Sequence, residues 1–174
     1  LRKMTRGILL GRLGGLITVS QELAESHAFA DFRKKSQVIA NGIDLENVDP
    51  LPSPSNSTPR LVFIGNPDSL WHGVDKLAIL AQLVPDIHLD VVGYDTLTGL
   101  GSLPENLHLH GYMPTKDYLS ILAKSDAAIS SLALHRIGLE EASPLKSREC
   151  LALGLPLVMA YNDTDLHGTS VDFI

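Results

Sequence analysis

From residue 60 onward, short runs of leucine and β-branched residues alternate with helical patterns, and the runs at 61–64, 88–92 and 107–110 stop on Gly65, Gly93 and Gly111. Strands that alternate with helices at this spacing join through right-handed crossovers, which makes them parallel and puts helices on both faces. The pattern predicts strands at 61–64, 88–92, 107–110, 127–131 and 157–160, with another beginning at 171, and helices at 74–83, 115–124 and 144–153. The expected fold class is therefore α/β with a mostly parallel sheet. Ligands of open α/β sheets bind outside the carboxyl ends of the strands, where glycine lets backbone come close to them. The edge carrying the three glycines is the expected ligand site.

Residues 1–50 read differently. Arg2, Lys3, Arg6 and Arg12 surround Met4, Ile8, Leu9 and Leu13 in an amphipathic helical pattern that begins at once, as in a domain cut short. Gly14 and Gly15 end it, a short strand follows at 16–19, and Ser20 is placed to cap a helix reaching about residue 32. A strand at 38–40 stops at Asn41-Gly42, a turn signal. The stretch LPSPSNSTPR then reads as a linker, so the expected division is 1–50, a linker at 51–59, and 60–174. The basic helix suits a solvated or interdomain face, with peripheral contact at an anionic membrane surface as the alternative.

Composition narrows the partners. Residues 1–50 carry seven Lys/Arg against six Asp/Glu (+1) and the remainder seven against fourteen (−7), for a net charge of −6. Acidity of that size argues against nucleic-acid binding. The single cysteine, Cys150, can make no internal disulfide and reads as a small buried hydrophobe in a reducing compartment. The opening residues have no cleavage-site pattern, and apolar stretches fall far short of the roughly 20 residues that cross a bilayer, so a cytoplasmic location is expected. Gly99-Leu100-Gly101 has Pro104 where a dinucleotide fingerprint needs its third glycine, and no Walker loop, HExxH or GxSxG occurs. His108 and His110 alternate on one strand face without a third ligand at useful spacing; they read as polar strand positions, and no metal is expected.

Chemistry concentrates in GLEEASPLKSRECLALGLP, residues 138–156. Ser143 suits an N-cap, Pro144 the first helical turn and Gly154 the C-terminal cap. Lys146 then lies in the first turn, where unpaired N–H groups and the helix dipole already make a positive end. A cation there fits a bound phosphate. Glu149 shares the largely apolar side of Leu145 and Ala152, where a carboxylate needs a hydrogen-bond donor such as a sugar hydroxyl. The alternative is that Lys146 and Glu149 pair with each other at i,i+3 on a solvated face.

Taken in order, ITVSQELAE, VIANGIDLENVDP, LVFIG, WHGVD, LHLHGYM and EEASPLKSRECLALGLPLV resemble the GT-B glycosyltransferases, specifically the family-four group of retaining enzymes. Glu141 and Glu149 match that family's E-x7-E element, the most specific of these pieces. The resemblance implies two Rossmann-like domains facing across a cleft, with residues up to about 50 ending the N-terminal acceptor domain and residues 60–174 forming most of the nucleotide-sugar domain. It implies transfer of a hexose from a UDP- or GDP-sugar to a glycan or lipid-linked acceptor, without a metal or a resident cofactor. A non-catalytic α/β interaction domain and a GT-B nucleotide-sugar epimerase are the alternatives.

By the same resemblance Glu149 receives the ribose hydroxyls and Glu141 those of the donor sugar. Ala142, Ser143, Pro144, Leu145 and Lys146 offer a helix start to the sugar and diphosphate, and Gly65 lets backbone pass the diphosphate. Gly111 and Tyr112 contact the base, and Gly93 ends the neighbouring strand in the same crevice. One departure is plain. Many members carry an arginine and a lysine where this chain has Asn66 and His72. Lys146 and Arg136 are the cations placed to compensate, while His72 either donates a hydrogen bond to the diphosphate or packs beside Trp71 as a loop residue. The acceptor-side residues lie outside this sequence, so the chain alone is expected to bind nucleotide without turnover.

Overall fold

The computed structural model describes residue 8 and residues 10–97, 102–166 and 168. The readings at Arg2, Lys3, Met4, Arg6, Leu9, 99–101 and 171–174 fall outside these residues. Strands β1 (Leu16–Thr18) and β2 (Ser36–Val38) pair in parallel. Strands β3 (Arg60–Ile64), β4 (His88–Val92), β5 (Leu107–Leu109), β6 (Ala127–Ile129) and β8 (Leu157–Val158) form a five-stranded parallel sheet in the order β5-β4-β3-β6-β8. A small parallel pair joins β7 (Glu141–Ala142) to β9 (Asn162–Asp163). The helices are α1 (Gln21–Glu25), α2 (Val74–Leu83), α3 (Thr115–Leu122) and α4 (Leu145–Ala152).

The α/β fold predicted from the alternation is therefore present. Its central strand β3 is buried on both faces, with Phe63 in one core and Val62 in the other. Over Phe63, α2 lays Val74, Leu77, Ala78 and Ala81, the i, i+3, i+4, i+7 stripe of a helix covering a sheet. On the opposite face Leu122 of α3 and Cys150 of α4 pack with Val62, Val92, Ala128 and Leu157. Full burial of each large apolar side chain contributes about 1.5 to 3 kcal/mol.

Parallel strands deliver all their carboxyl ends to one edge. There the Gly65 N–H donates to the Val92 carbonyl at 3.0 Å and the Gly93 N–H to the Gly111 carbonyl at 2.7 Å. A Cβ on Gly93, whose φ is +96°, would lie 1.8 Å from the Gly65 oxygen. Glycine is thus required at 93 by the neighbouring strand, independently of any ligand.

Two boundaries in the first 50 residues differ from expectation. The helix after Ser20 ends at Glu25, because Ser26 turns extended (ψ 148°) and its hydroxyl donates to the Leu23 carbonyl at 2.8 Å, an acceptor the next turn would have used. Tight 3-10 turns follow over His27–Lys35. The second strand begins two residues early, since pairing of Leu16 with Ser36 and Thr18 with Val38 sets its register. Residues 51–59 contain no helix or strand, yet the Leu51 N–H donates to the Leu153 carbonyl at 2.8 Å and the Asn56 amide to the Lys124 carbonyl at 2.8 Å. No described helix is long and apolar enough to cross a membrane.

Candidate functional site

A cavity of about 630 Å3 opens beside the carboxyl ends of β3 and β6. The loop after β3 supplies Gly65, Asn66, Trp71 and His72, and the segment leading into α4 supplies Glu141, Ala142, Ser143, Pro144, Leu145 and Lys146. Val19 and Leu23 close it from the first 50 residues, and Leu134, Ile137 and Leu139 add apolar wall. Residues 76 positions apart in sequence meet here because β3, β6 and the start of α4 share one sheet edge.

Lys146 stands in the first turn of α4. The helix has Pro144 at its N-cap and no side chain caps it. Ser143, expected as the cap, instead accepts from the Asn41 N–H at 2.8 Å and from Arg148 Nη2 at 3.0 Å. The buried guanidinium needs that acceptor more than an accessible helix end does. Lys146 Nζ donates to the Ile64 carbonyl at 3.0 Å and sits 4.4 Å from the Phe63 ring centroid. Burial lowers its pKa to about 8. Glu149 faces elsewhere and accepts from the Tyr118 hydroxyl at 2.9 Å. The i,i+3 surface pair is thus not formed.

His72 is buried, edge-on to Phe63 at 5.4 Å and to Trp71 at 5.7 Å between centroids. Its Nδ1 lies 2.9 Å from the Tyr94 hydroxyl, which itself donates to the Asn66 carbonyl. Burial, and then the charge of Lys146, pull the imidazole down to about 4, and burial pushes the Tyr94 phenol up to about 12. Both rings are neutral at pH 7. Arg136 is committed outside the cavity, where both its terminal nitrogens reach Asp75 at 2.7 Å. It does not line the cavity.

Glu141 is held by an exchange across the cavity wall. Its Oε2 accepts the Glu22 N–H at 2.9 Å, while Glu22 Oε2 accepts the N–H groups of Glu140 and Glu141 at 2.9 and 3.0 Å. A carboxylate in the first turn of α1 is favoured by the positive helix end. Behind this, Arg148 clamps the site: its nitrogens reach Asp163 at 2.6 and 3.1 Å, and its Nε donates to the Asn41 carbonyl at 2.8 Å. Residues near 41, 143, 148 and 163 are thereby fixed to one another.

The described fold is similar to that of an S. aureus TarM mutant in complex with Fondaparinux, alpha-GlcNAc-glycerol and UDP, at TM-score 0.61 and 17% identity over 90% of this chain. It is similar to the sucrose-phosphate synthase of Thermosynechococcus elongatus at TM-score 0.57 and 15% identity over 90%, and to a mutant of the Thermobaculum terrenum O-GlcNAc transferase at 0.53 and 18% over 83%. The chain has the GT-B fold. It spans 32%, 44% and 29% of those three proteins. No protein-family model matches the sequence, and no curated protein does.

Within this GT-B fold, Gly93, Gly111, Tyr112 and Glu149 lie outside the cavity lining. Gly111 follows β5 at the same sheet edge, and the Tyr112 side chain beside it is 84% exposed. Sequence reasoning missed Glu22, Asn41, Tyr94, Arg148 and Asp163. Spacing gave no signal for Arg148, since residues two apart on a helix do not share a face and its burial beside Cys150 is seen only in the fold. His108 and His110 are polar positions in one cluster: His108 stacks on His88 at 4.1 Å, and His88 Nε2 and His110 Nε2 lie 3.2 and 2.6 Å from the same oxygen of buried Asp90. Arg60 reaches the other oxygen of Asp90 at 2.9 Å.

Proposed function

We propose that this chain is the nucleotide-sugar-binding portion of a retaining, metal-independent hexosyltransferase acting on a glycan or lipid-linked acceptor. The observation that carries the reading is the cavity that unites the loop after β3, the uncapped start of α4 and Lys146 at one sheet edge. Free N–H groups at a helix start, beside an ammonium, form a site for a diphosphate. UDP is a component of one TarM complex of similar fold, which makes it the first nucleotide to test.

In this reading the diphosphate rests against the start of α4 and Lys146 neutralises the charge that builds as it leaves. Fixed donors and a buried cation stabilise that charge without reorganisation, which is where such a reaction gains most of its rate. Glu141 presents Oε1 to donor-sugar hydroxyls while Oε2 stays on the Glu22 N–H. Glu149 receives the ribose in place of, or together with, the Tyr118 hydroxyl. The nucleotide runs along the edge from Gly65 past Gly93 to Gly111 and Tyr112. Because the chain spans less than half of the similar structures, acceptor recognition and turnover are assigned to the longer protein, cytoplasmic or peripheral to a membrane.

Calorimetric titration with UDP, GDP and their sugars tests the reading. One of the pairs is expected to bind, and Glu149→Ala to lose about 1.5 to 3 kcal/mol of it. No binding to any of them, or unchanged binding in the variant, overturns it.

A further inference from the structure

The direction of one hydrogen-bond chain decides what His72 can offer a ligand. The Asn66 carbonyl can only accept, so the single proton of the Tyr94 hydroxyl is directed to it. Tyr94 then has only lone pairs for His72, and the 2.9 Å contact requires that Nδ1 carry the proton and donate. A neutral imidazole protonated at Nδ1 has a bare lone pair at Nε2. The ring's side-chain hydrogen bond is the one at Nδ1, and the ring lines the cavity with Gly65 and Lys146. Burial and the adjacent ammonium oppose a second proton, keeping the ring neutral at pH 7.

From this geometry we infer that His72 is a specificity-determining hydrogen-bond acceptor that meets a hydroxyl of the donor sugar, and not a donor to the diphosphate. The inference rests on the proposed nucleotide-sugar site. Phosphate oxygens at neutral pH present lone pairs, as Nε2 does, so placing one against the other is repulsive. A sugar hydroxyl brings the proton that Nε2 lacks. Tyr94 thereby acts as a positioning residue, because its hydroxyl pins the tautomer from a strand end 22 residues away. It follows that the anionic end of the donor relies on Lys146 and the start of α4, since Arg136 is bound to Asp75.

Two measurements test this. In the chain labelled with 15N-histidine, the His72 ring at pH 7 is expected to show a protonated Nδ1 and an unprotonated Nε2; the opposite tautomer, or an imidazolium, overturns the inference. The second compares His72→Phe with the natural chain by calorimetry, using UDP with UDP-glucose and GDP with GDP-mannose. Phenylalanine keeps a ring beside Phe63 and Trp71 and removes the Nε2 acceptor together with the Nδ1 bond to Tyr94. The bare nucleotide is expected to bind within about twofold of the natural chain, while the additional affinity for the nucleotide sugar falls about fivefold, the worth of one neutral hydrogen bond. Equal weakening of nucleotide and nucleotide sugar overturns the inference and leaves the proposed function standing. Absence of binding to all four by the natural chain overturns both. Should the variant fail to fold, the tautomer measurement on the natural chain decides.

Discussion

Lys146 illustrates how one residue couples function to a cost in stability. The unfolded chain keeps this proton up to about pH 10.5, while the folded chain releases it near 8. Between those values the unfolded state binds more protons, so stability rises with pH across that window, and the buried cation carries its full cost below it. Lys146→Met is expected to raise stability at pH 7 by on the order of 1 to 2 kcal/mol, to flatten the rise between pH 8 and 10.5, and to weaken nucleoside diphosphate binding tenfold or more. Denaturant melts at pH 7, 9 and 10 together with calorimetry check this. Sequence placed Lys146 at a helix start, but left a surface pair with Glu149 equally open. The pair fails because the Ile64 carbonyl and the Phe63 ring hold the ammonium on one side of α4 while Tyr118 holds the carboxylate on another.

Among elements, α4 shows which features are local and which are not. Its extent was legible to within one residue at each end, 144–153 expected against Leu145–Ala152 observed, because Pro144 marks the entry, as an extended N-cap and not as the first helical residue, and a left-handed glycine (φ +82°) ends it. Its anchoring was not, because Arg148 finds its partners 15 and 107 residues away at Asp163 and Asn41. Arg148→Ala leaves Asp163 buried and unpaired, with an expected loss of about 3 to 5 kcal/mol in a urea titration. Hydrogen exchange is expected to quicken at the Thr164 amide, which donates to the Ala142 carbonyl at 3.2 Å between β7 and β9. A loss confined to α4, with unchanged exchange at 164, would disprove the clamp.

At the scale of the whole molecule, acid stability depends on Asp90 of β4, beside Val62 of β3. Burial raises its carboxyl, but hydrogen bonds from His110 and Arg60 outweigh it and hold the group below the usual carboxylate range. Its contribution is therefore present above the unfolded value near 3.8 and is lost as pH falls through that value and the lower folded one. Asp90→Asn is expected to cost about 1 to 3 kcal/mol at pH 7 and to remove part of the acid slope, read from denaturant midpoints between pH 3 and 7. The sequence by itself determined the parallel sheet, the edge where its strands end and the helix that begins at the cavity. Those depend on periodicity and on connectivity, which are local properties of the chain. Only the tertiary structure decided the tautomer of His72, the separation of Lys146 from Glu149, the diversion of Arg136 and the burial of Arg148 against Asp163. Each depends on which polar group from a distant segment arrives within hydrogen-bonding distance, and a buried polar atom accepts whichever partner the packed fold supplies.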